Sequence, residues 1–196
     1  MAIRRFTAAC VASPSSAGLA ALLFVLAISS IGSTASPPRL AFPDSSTTVF
    51  VVRHAEKMPP TVAADPPLSA AGFKRAQALA HALGAAEVSA IYTSERLRAR
   101  QTALPLATKL GDSLRVVNGS DIPALARRIR EECVGRTVLV IGHSDTVPLI
   151  VQELSGLYVP PMKDDEFDLL YVVTLFRDRP ARVIRLRYGD AGRAAP

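Results

Sequence analysis

Two histidines stand in the same kind of place in this 196-residue sequence, each directly after an apolar run. Val49-Phe50-Val51-Val52 leads into Arg53-His54-Ala55-Glu56-Lys57, and Val138-Leu139-Val140-Ile141 leads into Gly142-His143-Ser144-Asp145. A neutral imidazole is a nucleophile or a proton carrier near neutral pH, and a guanidinium beside it binds anions through a planar fork of donors. A third segment, Ser94-Glu95-Arg96-Leu97-Arg98-Ala99-Arg100-Gln101-Thr102-Ala103, follows a short apolar run and opens a helical pattern. Free N–H groups and a positive dipole end at a helix start favour an anion, and an arginine there adds a second fork. Arg96 and Arg100, four apart, read as a solvated face of that helix, while Arg98 points elsewhere. The chemistry these residue types allow is anion binding beside two imidazoles. No His/Asp/Glu cluster at metal-ligand spacing occurs, so neither metal nor cofactor is expected.

Elements that could bring the three segments together are legible around them. Thr48–Val52 and Thr137–Ile141 are β-branched, continuously apolar runs, the pattern of central strands covered on both faces. Further strands are expected at Val88–Tyr92, Leu114–Val117, Leu169–Phe176 and Ala181–Arg187. Helices are expected from the cap Ser69 to about Leu83, from Glu95 to Leu110 closed by Gly111, from Ile122 to Cys133 with Asp121 as cap, and from about Thr146 to Leu154. Strand alternating with helix predicts a three-layer α/β/α sandwich with a mostly parallel sheet. In such a sheet the C-terminal strand ends lie along one edge, so both histidines and the Arg98 helix start meet there.

Four segments in this order resemble the histidine phosphatase superfamily, the phosphoglycerate mutase-like proteins of branch 1. Arg53-His54-Ala55-Glu56 is similar to its Arg-His-Gly-Glu signature, and Leu68-Ser69-x-x-Gly72 to its Leu-Thr-x-x-Gly segment. Ser94 to Ala103 resembles its Ser-x-x-x-Arg-Ala-x-Gln-Thr-Ala helix start, and Gly142-His143-Ser144 its second Gly-His. The resemblance implies that His54 is the nucleophile, that Arg53 and Arg98 clamp the phosphate, and that His143 stabilises the transferring group. It also implies a phosphatase working through a phosphohistidine on a phosphorylated small molecule. The alternatives are a mutase-type phosphotransferase and a non-catalytic phosphate-binding scaffold. Ala55 departs from the usual glycine, which matters only where positive φ is needed. No glutamate between Ala103 and Gly142 matches the mutase acid; Asp112 and Asp121 lie there, and Asp121 reads as a helix cap. Glu56 and Asp145, nearest in sequence to the two histidines, are the candidate acids, with structural roles as the alternative for both. Lys57 is either a substrate contact or solvated.

Composition limits the rest. Net charge is +6 with pI near 9.8, yet no compact basic run with interleaved aromatics occurs, so nucleic acid is not an expected partner. Residues 1–35 read as a signal peptide or N-terminal anchor: Arg4 and Arg5, then apolar Ala17 to Ile28, then Ser33-Thr34-Ala35. The apolar run is short beside the ~20 residues of a span, so membrane association is expected only if the segment stays uncleaved. Export is the expectation. Residues 36–46, with Pro37, Pro38 and Pro43, read as a linker, and 47–196 as the catalytic domain. Cys10 lies before the apolar run, leaving Cys133 as the domain's single thiol. Oligomeric state leaves no mark.

Overall fold

The computed structural model describes residues 46–59 and 64–190. The expected segment 1–35 and nearly all of the linker 36–46 lie outside them. Six strands form one sheet in the order β3-β2-β4-β1-β5-β6, with β1 Thr47–Arg53, β2 Val88–Ser94, β3 Leu114–Val117, β4 Thr137–Gly142, β5 Leu169–Leu175 and β6 Arg182–Arg187. Four helices intervene: α1 Ala70–Leu83, α2 Leu97–Leu110, α3 Ile122–Glu132 and α4 Thr146–Ser155. The first four strands pair in parallel, while β5 runs antiparallel to β1 and β6 antiparallel to β5. The three-layer, mostly parallel expectation describes this fold, with a terminal hairpin added at one edge.

Alternation along the strands separates two cores. Val49, Val51, Val138 and Val140 face one side, where they pack with Leu125 and Ile129 of α3 and Ile150 and Leu154 of α4. Val52, Leu139 and Ile141 face the other, with Leu79 and Leu83 of α1 and Ala103 and Leu106 of α2. Burial on both faces explains why β1 and β4 read as continuous apolar runs rather than alternating ones. Cys133 is buried, at the C-cap of α3. No helix among the described residues is long and apolar enough to cross a membrane.

The β1–β4 pairing places the site. Thr48 through Arg53 lie opposite Thr137 through Gly142, and the ladder is extended by the His54 N–H donating to the Gly142 carbonyl at 2.9 Å. His54 and His143 are therefore the residues that leave two neighbouring strands at the same level.

Candidate active site

The imidazoles of His54 and His143 sit with ring centroids 5.2 Å apart, on the floor of a cleft of about 1060 Å³ lined also by Arg53, Arg98, Asp145 and Phe167. His54 is 3% exposed. Its Nδ1 lies 2.7 Å from the Ala55 carbonyl oxygen, and its Nε2 lies 3.1 Å from Nε of Arg98. A carbonyl only accepts and a guanidinium only donates, so both contacts assign the same tautomer: the proton is on Nδ1, and Nε2 is unprotonated with its lone pair accepting from Arg98. Burial pushes the His54 pKa down from 6.5 to about 3, the Ala55 carbonyl opposes this, and His143, Arg98 and Arg53 lower it further. The ring is thus held neutral with its unprotonated nitrogen toward the arginine.

His143 receives a different partner. Its Nε2 lies 2.8 Å from the Ser94 hydroxyl at the end of β2, and burial, with Arg98 next, lowers its pKa while Asp145 and Glu95 oppose the shift. Its Nδ1 is buried without a hydrogen-bond partner among the described residues, as is Nε of Arg53. Of these two, the Arg53 Nε–H is a donor, and a buried donor without a partner suits an incoming anion. Arg53, expected to be a clamp, is also an anchor. Its Nη1 donates to the carbonyls of Lys163, Asp164 and Glu166 at 3.0, 3.0 and 3.3 Å, and its guanidinium carbon lies 4.0 Å from the Phe167 ring centre. Only the remaining edge of that fork is open to a ligand.

The motif residues around these groups have identifiable mechanical duties. Thr102 donates to the Arg98 carbonyl at 2.8 Å and accepts from the Ala55 N–H at 2.9 Å, tying the α2 start to the residue behind His54. Gln101 accepts from the Leu68 N–H at 2.8 Å. Ser69 caps α1 by accepting from the Gly72 N–H, and its own N–H donates to the Glu56 carbonyl at 2.9 Å. A Cβ at Gly72 would stand 2.1 Å from that same Glu56 oxygen, so the helix can approach the loop this closely only with glycine. Ala55 needs no such freedom: among the described residues Glu87 is the sole non-glycine at positive φ.

Two expectations need revision in detail. α2 begins at Leu97 instead of Glu95, because Ser94 to Arg96 turn so that the Ser94 hydroxyl meets both His143 and the Arg96 N–H. Glu56 is not a free acid. Both its oxygens accept from Arg75, at 2.7 to 3.0 Å, and Arg75 continues to the Tyr188 and Asp190 carbonyls, which makes Glu56 a structural anion in a buried pair. Asp145 stands at the N-cap of α4, yet its side chain makes no capping bond; Thr146 accepts from the His143 N–H at 2.8 Å instead. The Asp145 carboxylate lines the cleft and enters no ion pair among the described residues. Lys57, Glu95 and Arg96 line the same cleft, so Arg96 is a rim residue as well as a solvated one, whereas Arg100 is exposed away from it. Among the described residues no three His, Cys, Asp or Glu side chains gather as a metal site would require.

Residues 49–120, the stretch from within β1 to just past β3 with the His54 and Arg98 motifs, match the family model of the histidine phosphatase superfamily (branch 1). That stretch, under half of the chain, is similar to that superfamily. Among solved structures it is similar to the protein histidine phosphatase SixA complexed with tungstate, at TM-score 0.62 and 24% identity over 71% of this chain and 96% of that one. A mycobacterial glucosyl-3-phosphoglycerate phosphatase aligns at TM-score 0.55 and 16% identity over 66% and 90%. A mycobacterial hydrolase aligns at 0.57 and 16% over 70% and 96%. At such identities the structural likeness establishes the shared fold. The comparison with curated proteins finds no match. Beyond the four motif positions, Ser94, Arg75 and Phe167 make contacts at the site that the motifs do not include. Ser94 was visible inside the helix-start motif. Arg75 left a signal too, since it shares the buried α1 face with Gly72, Ala76, Leu79 and Leu83. A charge on that face announces a buried partner. Phe167 left none.

Proposed function

We propose that this protein is a phosphatase that hydrolyses phosphate monoesters through a phosphohistidine on His54. The observation that carries the reading is the His54 tautomer, with Nδ1–H held by the Ala55 carbonyl and an unprotonated Nε2 facing Arg98. In the first step the Nε2 lone pair forms a bond to phosphorus as the ester P–O bond breaks, and the departing oxygen takes a proton. In the second, water attacks phosphorus and gives its proton to the group that protonated the leaving oxygen, the P–N bond breaks with its electron pair returning to Nε2, and inorganic phosphate leaves. Arg98 and the open edge of Arg53 stand where charge spreads over the equatorial oxygens, with His143 beside them. Asp145 is the residue offered as proton donor to the leaving oxygen, since Glu56 is engaged by Arg75 and Asp145 faces the cleft unpaired.

Export is part of the same reading and rests on Arg4, Arg5, the apolar run Ala17 to Ile28 and the small residues Ser33 and Ala35. The substrate would then be a phosphorylated small molecule outside the cytoplasm. The test is a rapid-quench reaction with a ³²P-labelled monoester. Acid-labile, base-stable label is expected on the wild-type protein and absent from His54→Ala, which should not turn over. Sustained hydrolysis by His54→Ala would refute the proposal.

A further inference from the structure

Helix α2 carries Arg98 to the nucleophile, yet nothing in its own N-terminal turn caps it. Arg96 occupies the N-cap position in extended conformation, and its side chain makes no capping bond. The cap comes from elsewhere in the chain. Asp65, on the loop between β1 and α1, accepts from the Leu97 N–H through Oδ2 at 2.9 Å, and its Oδ1 lies 3.4 Å from Nη1 of Arg98. One carboxylate thus holds both the backbone of the first turn and the guanidinium that this turn presents. The same guanidinium reaches His54 Nε2 with its Nε, 3.1 Å away. Among neighbouring charges Asp65 exerts the largest pull on Arg98.

From this chain of contacts we infer that Asp65 is a positioning residue for phosphoryl transfer, fixing the direction of the Arg98 fork by capping α2 across the chain. The inference rests on the phosphatase reading for its activity arm only. Two charge effects oppose one another at this place. Asp65 partly neutralises Arg98, so a purely electrostatic role would make its removal tighten anion binding. A long arginine freed from its anchor loses its fixed geometry, so a positioning role makes removal weaken it. The sign of the change separates the two.

The experiment measures binding of inorganic phosphate to the full chain by calorimetry, alongside kcat and KM for p-nitrophenyl phosphate, in wild type, Asp65→Ala, Asp65→Asn, Arg98→Ala and the double variant Asp65→Ala/Arg98→Ala. Asp65→Ala should weaken phosphate binding about tenfold and lower kcat by a similar factor, consistent with losing an aligned donor in part and not whole. Asp65→Asn keeps one carbonyl acceptor for two donors, and should fall between. In the Arg98→Ala background, removing Asp65 should change phosphate binding less than twofold. Phosphate binding that is unchanged or tighter in Asp65→Ala would overturn the inference, and so would an equal loss with and without Arg98. Should Asp65→Ala fail to fold, the same decision is read from Asp65→Asn. Absence of wild-type hydrolysis with phosphate binding weakened as expected would refute the phosphatase reading and leave the positioning role standing.

Discussion

Holding His54 neutral has a thermodynamic consequence that can be measured without any substrate. In the unfolded chain this imidazole takes up a proton near pH 6.5, whereas burial and the neighbouring cations defer that to about 3 in the folded protein. Between those values the unfolded state binds more protons than the native state, so stability rises with pH through the interval and is lost as the pH falls from 6.5 toward 3. Each unit of pKa difference is worth about 1.4 kcal/mol, and taking the two limits gives a loss of about 3 kcal/mol between pH 7 and pH 4. The ring is almost wholly buried, so solvent screening does not erode this figure as it would at the surface.

The assay compares urea unfolding of wild type and His54→Asn from pH 7 down to pH 4. Carboxylate titrations occur in both proteins and cancel in the difference. Wild type should lose about 3 kcal/mol more than the variant over that range. A long-range ¹H–¹⁵N spectrum of the histidine ring at pH 7 should show the proton on Nδ1. Parallel stability profiles for the two proteins, or a ring titration midpoint near 6.5, would refute the account of how the nucleophile is kept ready.

Further outcomes follow from the same geometry. Arg98→Ala should lower kcat/KM by two orders of magnitude or more, about 3 kcal/mol of transition-state stabilisation, while Arg100→Ala, exposed away from the cleft, should leave it within twofold; steady-state kinetics of the two variants decide this. Gly72→Ala forces a Cβ against the Glu56 carbonyl and should cost on the order of 3 kcal/mol, read as a lowered Tm, with a matching loss of activity because that backbone carries His54. Asp145→Asn should slow alkyl phosphates far more than p-nitrophenyl phosphate, whose leaving group departs without a proton; an unchanged leaving-group dependence removes Asp145 from the acid role.

Much of this architecture was legible because its signals are local. β-branched runs, the Ser69 and Asp121 caps and Gly111 at positive φ each announce an element within a few residues, and the observed strands and helices follow them closely. The convergence of His54 and His143 was legible at one remove, since it needs only that β1 and β4 be parallel neighbours. What stayed hidden depends on the path of loops. Arg53 meets carbonyls more than a hundred residues away, and nothing in Lys163-Asp164-Asp165-Glu166 marks them as its acceptors. Asp65 in an Asp-Pro-Pro stretch reads as loop, and no local feature tells which helix it caps. Glu56 misled because nearness in sequence to His54 was weighed above the charged residue on α1's buried face, where Arg75 waits for it.

The arrangement of charge around His54 ties readiness to selectivity. Arg53, Arg98 and the second imidazole disfavour a proton on Nε2, and they do so because they favour negative charge at the same place. A bare proton and a phosphate dianion are thus sorted by one field: the first is repelled from the nucleophile and the second drawn onto it. Burial is the largest contribution to keeping His54 neutral, while for the dianion it adds a desolvation cost that the strengthened attraction of the arginines must offset. In the proposed reaction, the Arg98 Nε–H that contacts the Nε2 lone pair would turn to a phosphoryl oxygen as the P–N bond forms. The nucleophile is therefore released by the group it attacks, and the donor that held it passes to the charge that develops. A neutral ligand of similar shape would leave Arg98 on His54 and meet a nitrogen whose lone pair is still engaged.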